Sequence, residues 1–258
     1  MPRSATVNYH VHKDGRQAFE LDAGGIIGNL ISPELAPTQV QVTDMRVSAQ
    51  PVGFARDAVE FASVPSAVKD FSGDDWKGTY DTELTQFLTG RLDVREVLIF
   101  DHTVRVDDPD ATRKPARNVH SDYSKGGAKQ RLIDLLGAEK AEEWSAGHFA
   151  FVNVWRPVEH PINSAPLGFV RPSSVSAADW ILLDLIYPDR KGQILGLAGN
   201  PDHDWVYQSK MTPDEVAFFN IYDNHGLPSV AHSALDMVED ASVTTTRKSI
   251  ESRTLVRY

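Results

Sequence analysis

Alternation of apolar and polar residues marks strands in the first part of the chain. It is present in ATVNYHVH (residues 5–12) and again in QVQVTDMRV (residues 39–47). A period of two is typical of strands that have one buried face, so short strands separated by loops are predicted here. REVLIFDHTVR (residues 95–105) is β-branched and apolar, and we expect it to be a buried strand.

Two stretches have helical spacing instead. Between Asp74 and about Leu92, apolar residues recur at Trp76, Tyr80, Leu84, Phe87 and Leu88, and acidic residues stand at the start, where a helix dipole favours them. A second amphipathic helix is predicted from Ser124 to Ala146, with Gly126 and Gly127 loosening its first turn.

After residue 146 the chain is rich in short apolar and aromatic segments separated by Gly, Pro, Asn and Asp. These segments are HFAFVNVWRPV, WILLDLIYP, GQILGLAG, DWVYQSKM, EVAFFNIYD, PSVAHSAL and KSIESRTLVRY. Many short strands at this spacing favour an antiparallel sandwich or barrel over a βαβ sheet. The predicted fold class is therefore mainly β with flanking helices that brace the core on one face.

Length and composition indicate one folded unit. The chain has 258 residues, of which 41% are hydrophobic, and this suits a single domain over 1–258, with residues 1–95 bracing a core formed by 96–258. No apolar run is long enough to span a membrane, and the N-terminus lacks the pattern of a signal peptide. We expect a soluble, cytoplasmic protein that does not bind membranes; its oligomeric state is left open.

Charge and cysteine content narrow the possible partners. The formal net charge of −10 argues against nucleic acid as a partner, because it disfavours a broad phosphate-binding surface. The chain contains no cysteine. Disulfides, thiolate ligands and a cysteine nucleophile are therefore excluded, and a bound metal must use His, Asp, Glu or backbone oxygen.

RNVHSDYSKGG (residues 117–127) contains a His-x-Asp pair, His120 and Asp122. In an extended segment, alternation directs both side chains to the same side, with Ser121 on the other. Two imidazoles and one carboxylate on one face form the metal site of non-haem iron(II) oxygenases. The third ligand is then either His203 or His232. We favour His232 because a strongly basic strand follows it.

That last strand has a polar face. Arg247, Ser249, Glu251 and Arg253 lie at alternate positions and are predicted to point into the barrel. An oxygenase that uses 2-oxoglutarate needs a cation for the distal carboxylate of this co-substrate, and arginine supplies two parallel hydrogen bonds. Arg247 with Ser249 is one candidate for this contact and Arg253 is the other.

As a set, six segments resemble the CmcJ-like hydroxylase/desaturase family of secondary metabolism. They are FDHTVR, NVHSDYS, FVNVWRPV, DWVYQSKMTPDEVAFFNIYD, VAHSAL and RKSIESR. The likeness extends from about Phe100 to Val256 and, weakly, through the N-terminal VNYHVHKDG. The resemblance implies a double-stranded β-helix (a cupin-like jelly roll) that binds Fe(II) and uses 2-oxoglutarate and dioxygen. It assigns the metal ligands to His120, Asp122 and His232. It also suggests that Asn153, Trp155 and Arg156 line the pocket, although a buried strand end explains Asn153 and Trp155 equally well.

The function predicted from these features is that of a dioxygenase acting on a small secondary-metabolite or amino-acid-like substrate by hydrogen abstraction. The outcome would be hydroxylation, desaturation or oxidative cyclisation. The predicted substrate contacts are Tyr123, Lys125, Asn153, Trp155 and Arg156. The alternatives are a non-redox, metal-dependent isomerase or lyase of cupin type, and a catalytically silent β-sandwich that binds a ligand.

Overall fold

The computed structural model describes residues 2–20, 33–188 and 191–258. The strands of this part of the chain are β1 (Arg3–His10), β2 (Gln17–Glu20), β3 (Leu35–Asp44), β4 (Val59–Ser63), β5 (Glu96–Val106), β6 (His120–Ser121), β7 (Phe149–Pro157), β8 (Leu167–Val170), β9 (Trp180–Ile186), β10 (Lys191–Leu197), β11 (Trp205–Tyr207), β12 (Glu215–Asp223), β13 (His232–Ala234) and β14 (Lys248–Arg257). The helices are α1 (Phe54–Asp57), α2 (Lys77–Leu92), α3 (Lys125–Leu136) and α4 (Ala138–Ser145).

Within the described residues, the strands form two sheets. The larger has nine strands in the order β1-β3-β11-β8-β13-β6-β10-β9-β2, and the smaller has five in the order β4-β12-β7-β14-β5. Apolar residues of both sheets share one core cluster, in which Phe169 of β8 packs edge-to-face on Phe219 of β12 at 5.0 Å. Two facing, mostly antiparallel sheets form a jelly roll, so the predicted fold class is confirmed.

Helix α2 covers the outer face of the five-stranded sheet. It buries Tyr80, Leu84 and Leu88 against a second core cluster that includes residues of β7, β12 and β14. The helix begins at Lys77, three residues later than predicted, and its first turn has no acidic residue. Asp74 lies before the helix and forms an ion pair with Lys77.

The prediction of a single helix over Ser124–Ala146 is wrong, because the helix is interrupted at Gly137. This residue has φ 77°, which glycine adopts without steric cost, and it separates α3 from α4. Gly127 does not loosen the first turn, since its N–H donates to the Oγ of the cap residue Ser124. A Cβ at Gly127 would lie 2.2 Å from the backbone oxygen of Gln193, so glycine lets α3 approach β10 closely.

Strand β5 is half-buried along its whole length, not buried as predicted. It is one of the two edge strands of the five-stranded sheet and pairs there with β14. Its inward side chains nevertheless reach the interior of the jelly roll. Asp101, Thr103 and Arg105 stand opposite Arg253, Glu251 and Ser249 of β14.

The N-terminal strands are part of both sheets, since β1 and β3 extend the nine-stranded sheet and β4 forms one edge of the other. The division of one domain into residues 1–95 and 96–258 stays a prediction, and residues 1, 21–32 and 189–190 lie outside the described part. In that part, the helices are too short or too polar to cross a bilayer.

Candidate metal centre

The two histidines come together through strand pairing. Strand β6 lies between β13 and β10, and His120 is the direct cross-strand partner of His232. Directly opposed residues of an antiparallel pair project to the same face. Their imidazole centroids are accordingly 4.5 Å apart, and His232 is only 2% exposed.

Asp122 completes the cluster from the position just after β6. Its side chain lies on the same side as that of His120, while Ser121 is fully buried between them on the other side. The Oδ1 atom of Asp122 is 3.4 Å from Nε2 of His120 and 3.9 Å from Nε2 of His232. One ligand atom from each of the three residues lies within 4.8 Å of the others.

Backbone carbonyls orient both imidazoles. Nδ1–H of His120 donates to the carbonyl of Asn118 (2.8 Å), and Nδ1–H of His232 donates to that of Val230 (3.2 Å). A proton on Nδ1 leaves the Nε2 lone pair free on the side that faces Asp122. Burial, and next the charge of His120, lower the pKa of His232 to about 3. That imidazole is therefore neutral and able to bind a metal at physiological pH.

The second carboxylate oxygen of Asp122 is held from outside the cluster. Oδ2 accepts hydrogen bonds from Nδ2 of Asn153 (2.9 Å) and Nε of Arg253 (3.0 Å). Burial alone would raise the pKa of Asp122, but Arg253 and the two imidazoles outweigh it and hold that pKa well below its usual range. The carboxylate is therefore ionised, and Oδ1 faces the two imidazoles.

This donor set fits a divalent transition metal. Two imidazoles and one ionised carboxylate on one face leave further coordination positions open, which is the facial arrangement of non-haem iron(II) sites. The outer contacts from Asn118, Val230, Asn153 and Arg253 are of the kind that fix ligand orientation. His203 does not take part, because its ring contacts Tyr9 and Asp179 elsewhere in the nine-stranded sheet.

The two arginines left open by the sequence have different surroundings. Besides Asp122, the Arg253 guanidinium contacts Asp101 (2.6 Å) and Glu251 (2.5 Å). Arg247 is 4% exposed, and its Nε and Nη1 have no hydrogen-bond partner among the described residues. Burial, and then the nearby charge of Arg105, lower the pKa of Arg247 to about 9. Arg253 is thus satisfied by the protein, whereas Arg247 has hydrogen-bonding capacity to spare.

A cavity of about 1280 Å³ opens at the cluster. His120, Asp122 and Arg253 line it, together with Tyr123, whose pKa burial raises to about 12. The phenol of Tyr123 is therefore neutral and can donate a hydrogen bond toward the cavity.

The other predicted substrate contacts differ in whether they face the site. Asn153 contacts Asp122, and the Trp155 ring lies 5.5 Å from the guanidinium of Arg247. Arg156 is on the opposite face of β7, where Nη1 donates to the carbonyls of Val64 and Pro213 at 2.6 Å, so it has no access to the cavity. Lys125 is an exposed first residue of α3 and is not part of the cavity wall.

Several cavity residues were not identified from the sequence. Arg105 lies on β5, Arg117 precedes β6, and Phe100 and Arg131 lie on β5 and α3. The alternation within FDHTVR contains a signal for part of this set, since a period of two places Asp101, Thr103 and Arg105 on one face. No local pattern marks Arg131.

Comparisons with known proteins agree with this arrangement. The family model described as the Oxidoreductase/YMDC permease-like domain (YDMC) matches residues 7–257. The chain is 31% identical to the hydroxylase/desaturase efuI of Hormonema carpetanum in an alignment that covers 86% of this chain and 88% of that protein. It is 23% identical to the oxidoreductase AN1597 of Emericella nidulans, covering 84% of this chain and 82% of that one.

A solved structure has the same fold. The iron and alpha-ketoglutarate-dependent endoperoxidase NvfI superposes with a TM-score of 0.85 over 99% of this chain and 98% of that one, at 21% identity. The family predicted from the sequence motifs is confirmed by the sequence relatives. With a family model that spans nearly the whole chain and a relative 31% identical over most of it, the protein belongs to this oxidoreductase family, together with fungal hydroxylase/desaturase proteins.

Proposed function

We propose that the protein is a non-haem Fe(II)/2-oxoglutarate-dependent oxygenase that hydroxylates, desaturates or oxidatively cyclises a small molecule. The observation that carries this proposal is the convergence of Nε2 of His120, Nε2 of His232 and Oδ1 of Asp122 beside a large cavity that His120 and Asp122 line. The names of the relatives, a hydroxylase/desaturase and an iron and alpha-ketoglutarate-dependent endoperoxidase, support it further. A cytoplasmic location and the lack of a nucleic-acid partner stay predictions.

In the proposed site, the two histidines and Asp122 would hold Fe(II). When bound with 2-oxoglutarate and dioxygen, the metal supplies the oxidising power that removes a hydrogen atom from the substrate. The protein contributes orientation. The carbonyls of Asn118 and Val230 fix the imidazole rings, and Asn153 and Arg253 fix the carboxylate. Because Oδ2 is already bonded to two donors, Asp122 offers Oδ1 as its single ligand atom.

Arg247 and Ser249 are the proposed contacts for the distal carboxylate of 2-oxoglutarate. The side chains of both are buried, and Nε and Nη1 of Arg247 and Oγ of Ser249 have no partner among the described residues. Unpaired buried donors are costly, and the positive charges of Arg247 and Arg105 repel one another. A bound carboxylate would relieve both costs. Arg253 has no such need, because it is already bonded to three carboxylates.

Strand geometry makes this assignment compatible with the length of the co-substrate. Asn153 contacts Asp122, and Trp155 contacts Arg247, so the two ends of the subsite are two residues apart on β7. Two residues of strand correspond to about 7 Å. That separation suits a five-carbon dicarboxylate that is bound to the metal at one end and to the guanidinium at the other.

The direct test is the Asp122→Ala variant. We expect it to lose both Fe(II) binding in anaerobic titration and the Fe(II)-dependent conversion of 2-oxoglutarate to succinate, because one of three ligands is gone. Asp134→Ala, at another aspartate of the cavity wall, serves as the control and should retain both. Full succinate formation by Asp122→Ala would contradict the proposal. Tight Zn(II) or Mn(II) binding without oxygen uptake in the unaltered protein would favour a non-redox isomerase or lyase.

A further inference from the structure

Cationic side chains dominate the wall of the cavity at the metal site. Among the described residues, eight arginines and lysines line it, against four aspartates. The chain as a whole has a formal net charge of −10. Positive charge is thus concentrated in this cavity, although most of the protein is acidic, and a cleft lined by one sign of charge attracts ligands of the opposite sign.

The proposed cofactors do not neutralise this charge. Fe(II) would add two positive charges, and 2-oxoglutarate would bring two negative ones, so the cavity stays cationic with both bound. A further anionic group is needed for charge complementarity.

Two of the cavity arginines, Arg253 and Arg117, already have anionic partners. Arg253 is paired with Asp122, Asp101 and Glu251, and Arg117 is paired with Asp107. Arg131 on α3 differs from both. Its guanidinium lies over the ring of Phe100, 4.8 Å from the centroid, and is close enough to the phenol of Tyr123 to act on its pKa. In the described part of the chain, no ion pair joins Arg131 to a carboxylate. Its guanidinium can therefore donate two hydrogen bonds to the carboxylate of a ligand.

The position of Arg131 relates it to the metal site. Its neighbour Tyr123 directly follows Asp122, and all three residues line the cavity. A group bound at Arg131 would therefore be held next to the metal-facing end.

Apolar surface accompanies this cation. Phe19, Phe100, Leu185 and Ile194 belong to the cavity wall. The volume of about 1280 Å³ is above the range of roughly 300–1,000 Å³ that is usual for small-molecule sites. The cavity therefore has room for a substrate with a sizeable apolar body beside the co-substrate.

We propose that the substrate is an organic acid with an apolar, ring-sized body, and that Arg131 binds its carboxylate while Phe100 and Tyr123 contact its body. The proposal rests on the proposed function, because it takes the cavity at the metal site as the place where substrate is oxidised. It assigns the cationic side chain that binds the substrate to Arg131 of α3, and not to Arg156 or Lys125.

The test compares two small probes of the same shape, phenylacetate and its neutral analogue phenylacetamide. Binding to the Mn(II)-loaded protein is measured by isothermal titration calorimetry with saturating 2-oxoglutarate, which occupies the metal and the Arg247 subsite. We expect the unaltered protein to bind phenylacetate about tenfold more tightly than phenylacetamide or better, because a charge-assisted hydrogen bond is lost with the amide. Arg131→Gln should abolish that preference.

Lys129→Gln is the matched control, since Lys129 is an exposed residue of the same helix and its replacement removes the same charge. It should keep the preference for the acid. Mn(II) binding by Arg131→Gln, measured in parallel, establishes that this variant is folded. Equal binding of the two probes by the unaltered protein, or an unchanged preference in Arg131→Gln, would overturn the inference. The proposed function fails by a different result, the absence of Fe(II)-dependent succinate formation.

Discussion

Replacing Asn153 by leucine should weaken metal binding through Asp122 without removing a ligand. Asn153 is fully buried, and its Nδ2 donates to Oδ2 of Asp122 at 2.9 Å. Leucine has nearly the same shape but no donor. Oδ2 then keeps only the hydrogen bond from Arg253 Nε at 3.0 Å. The carboxylate can rotate, so Oδ1 is less well directed toward the two imidazoles.

The expected size of the effect follows from that single lost contact. A hydrogen bond to a charged group contributes about 1.5–3 kcal/mol, and loss of an outer contact to a metal ligand costs about 10–100-fold in metal affinity. Because Arg253 still holds Oδ2, we expect the lower part of this range, about 10- to 30-fold in the Kd for Fe(II). Anaerobic titration calorimetry with Fe(II), repeated with air-stable Mn(II), measures it.

Asn220 provides a matched control. It is also fully buried, its Oδ1 likewise lacks a partner among the described residues, and its Nδ2 donates to the carbonyls of Leu227 and Pro228, away from the metal. Asn220→Leu should lower the melting temperature but leave the metal Kd within about twofold, because distant sites act independently. If Asn153→Leu binds metal as tightly as the unaltered protein does, the proposed role of Asn153 is wrong.

Three further outcomes follow from the structure. Arg247→Met should raise the KM for 2-oxoglutarate about tenfold or more and leave the Fe(II) affinity unchanged. Lys248→Met is the control: the Lys248 side chain pairs with Glu159, and its loss should alter neither quantity. An unchanged KM in Arg247→Met would show that Arg247 does not bind the co-substrate. Gly196→Ala should lower the free energy of unfolding, measured by urea titration, by about 1–3 kcal/mol, because a Cβ would lie 2.7 Å from the His10 ring and from Leu183. Gly90→Ala, at an open helix position, should not destabilise the protein in the same titration. Burial lowers the pKa of His203, so the unfolded chain takes up that proton first as pH falls; the stabilising contribution is complete above the ordinary histidine pKa of about 6.5 and is lost below it. The urea midpoint of His203→Gln should therefore vary less between pH 7 and pH 5 than that of the unaltered protein, and equal slopes would contradict this.

The strands and the metal-binding residue types are encoded locally, which is why the sequence predicted them. A period of two marks β1, β3 and the later strands, and Asp122 is brought to the same side as His120 by alternation alone. Helix α2 was predicted for the same reason, because Tyr80, Leu84 and Leu88 recur at helical spacing. The break at Gly137 was missed, since glycine occurs both within helices and at their ends.

The prediction that Arg156 contacts substrate was wrong because residues close in sequence were assumed to share one face. Asn153, Trp155 and Arg156 are close in sequence, but the pleat of β7 turns Arg156 to the opposite face. The half-buried state of β5 was likewise not visible locally, because its position at the sheet edge depends on which strands pair.

The amino-acid sequence by itself determined the set of strands, the absence of thiol chemistry, and a short list of residues able to bind metal and co-substrate. Only the tertiary structure decided that His120 and His232 are cross-strand partners, that Arg253 is bonded to carboxylates whereas Arg247 keeps unpaired donors among the described residues, and that Arg131 reaches the cavity from α3. The physical reason is that side-chain periodicity is a property of a few neighbouring residues. Strand register and helix docking, in contrast, are fixed by hydrogen bonds and packing between segments far apart in the chain.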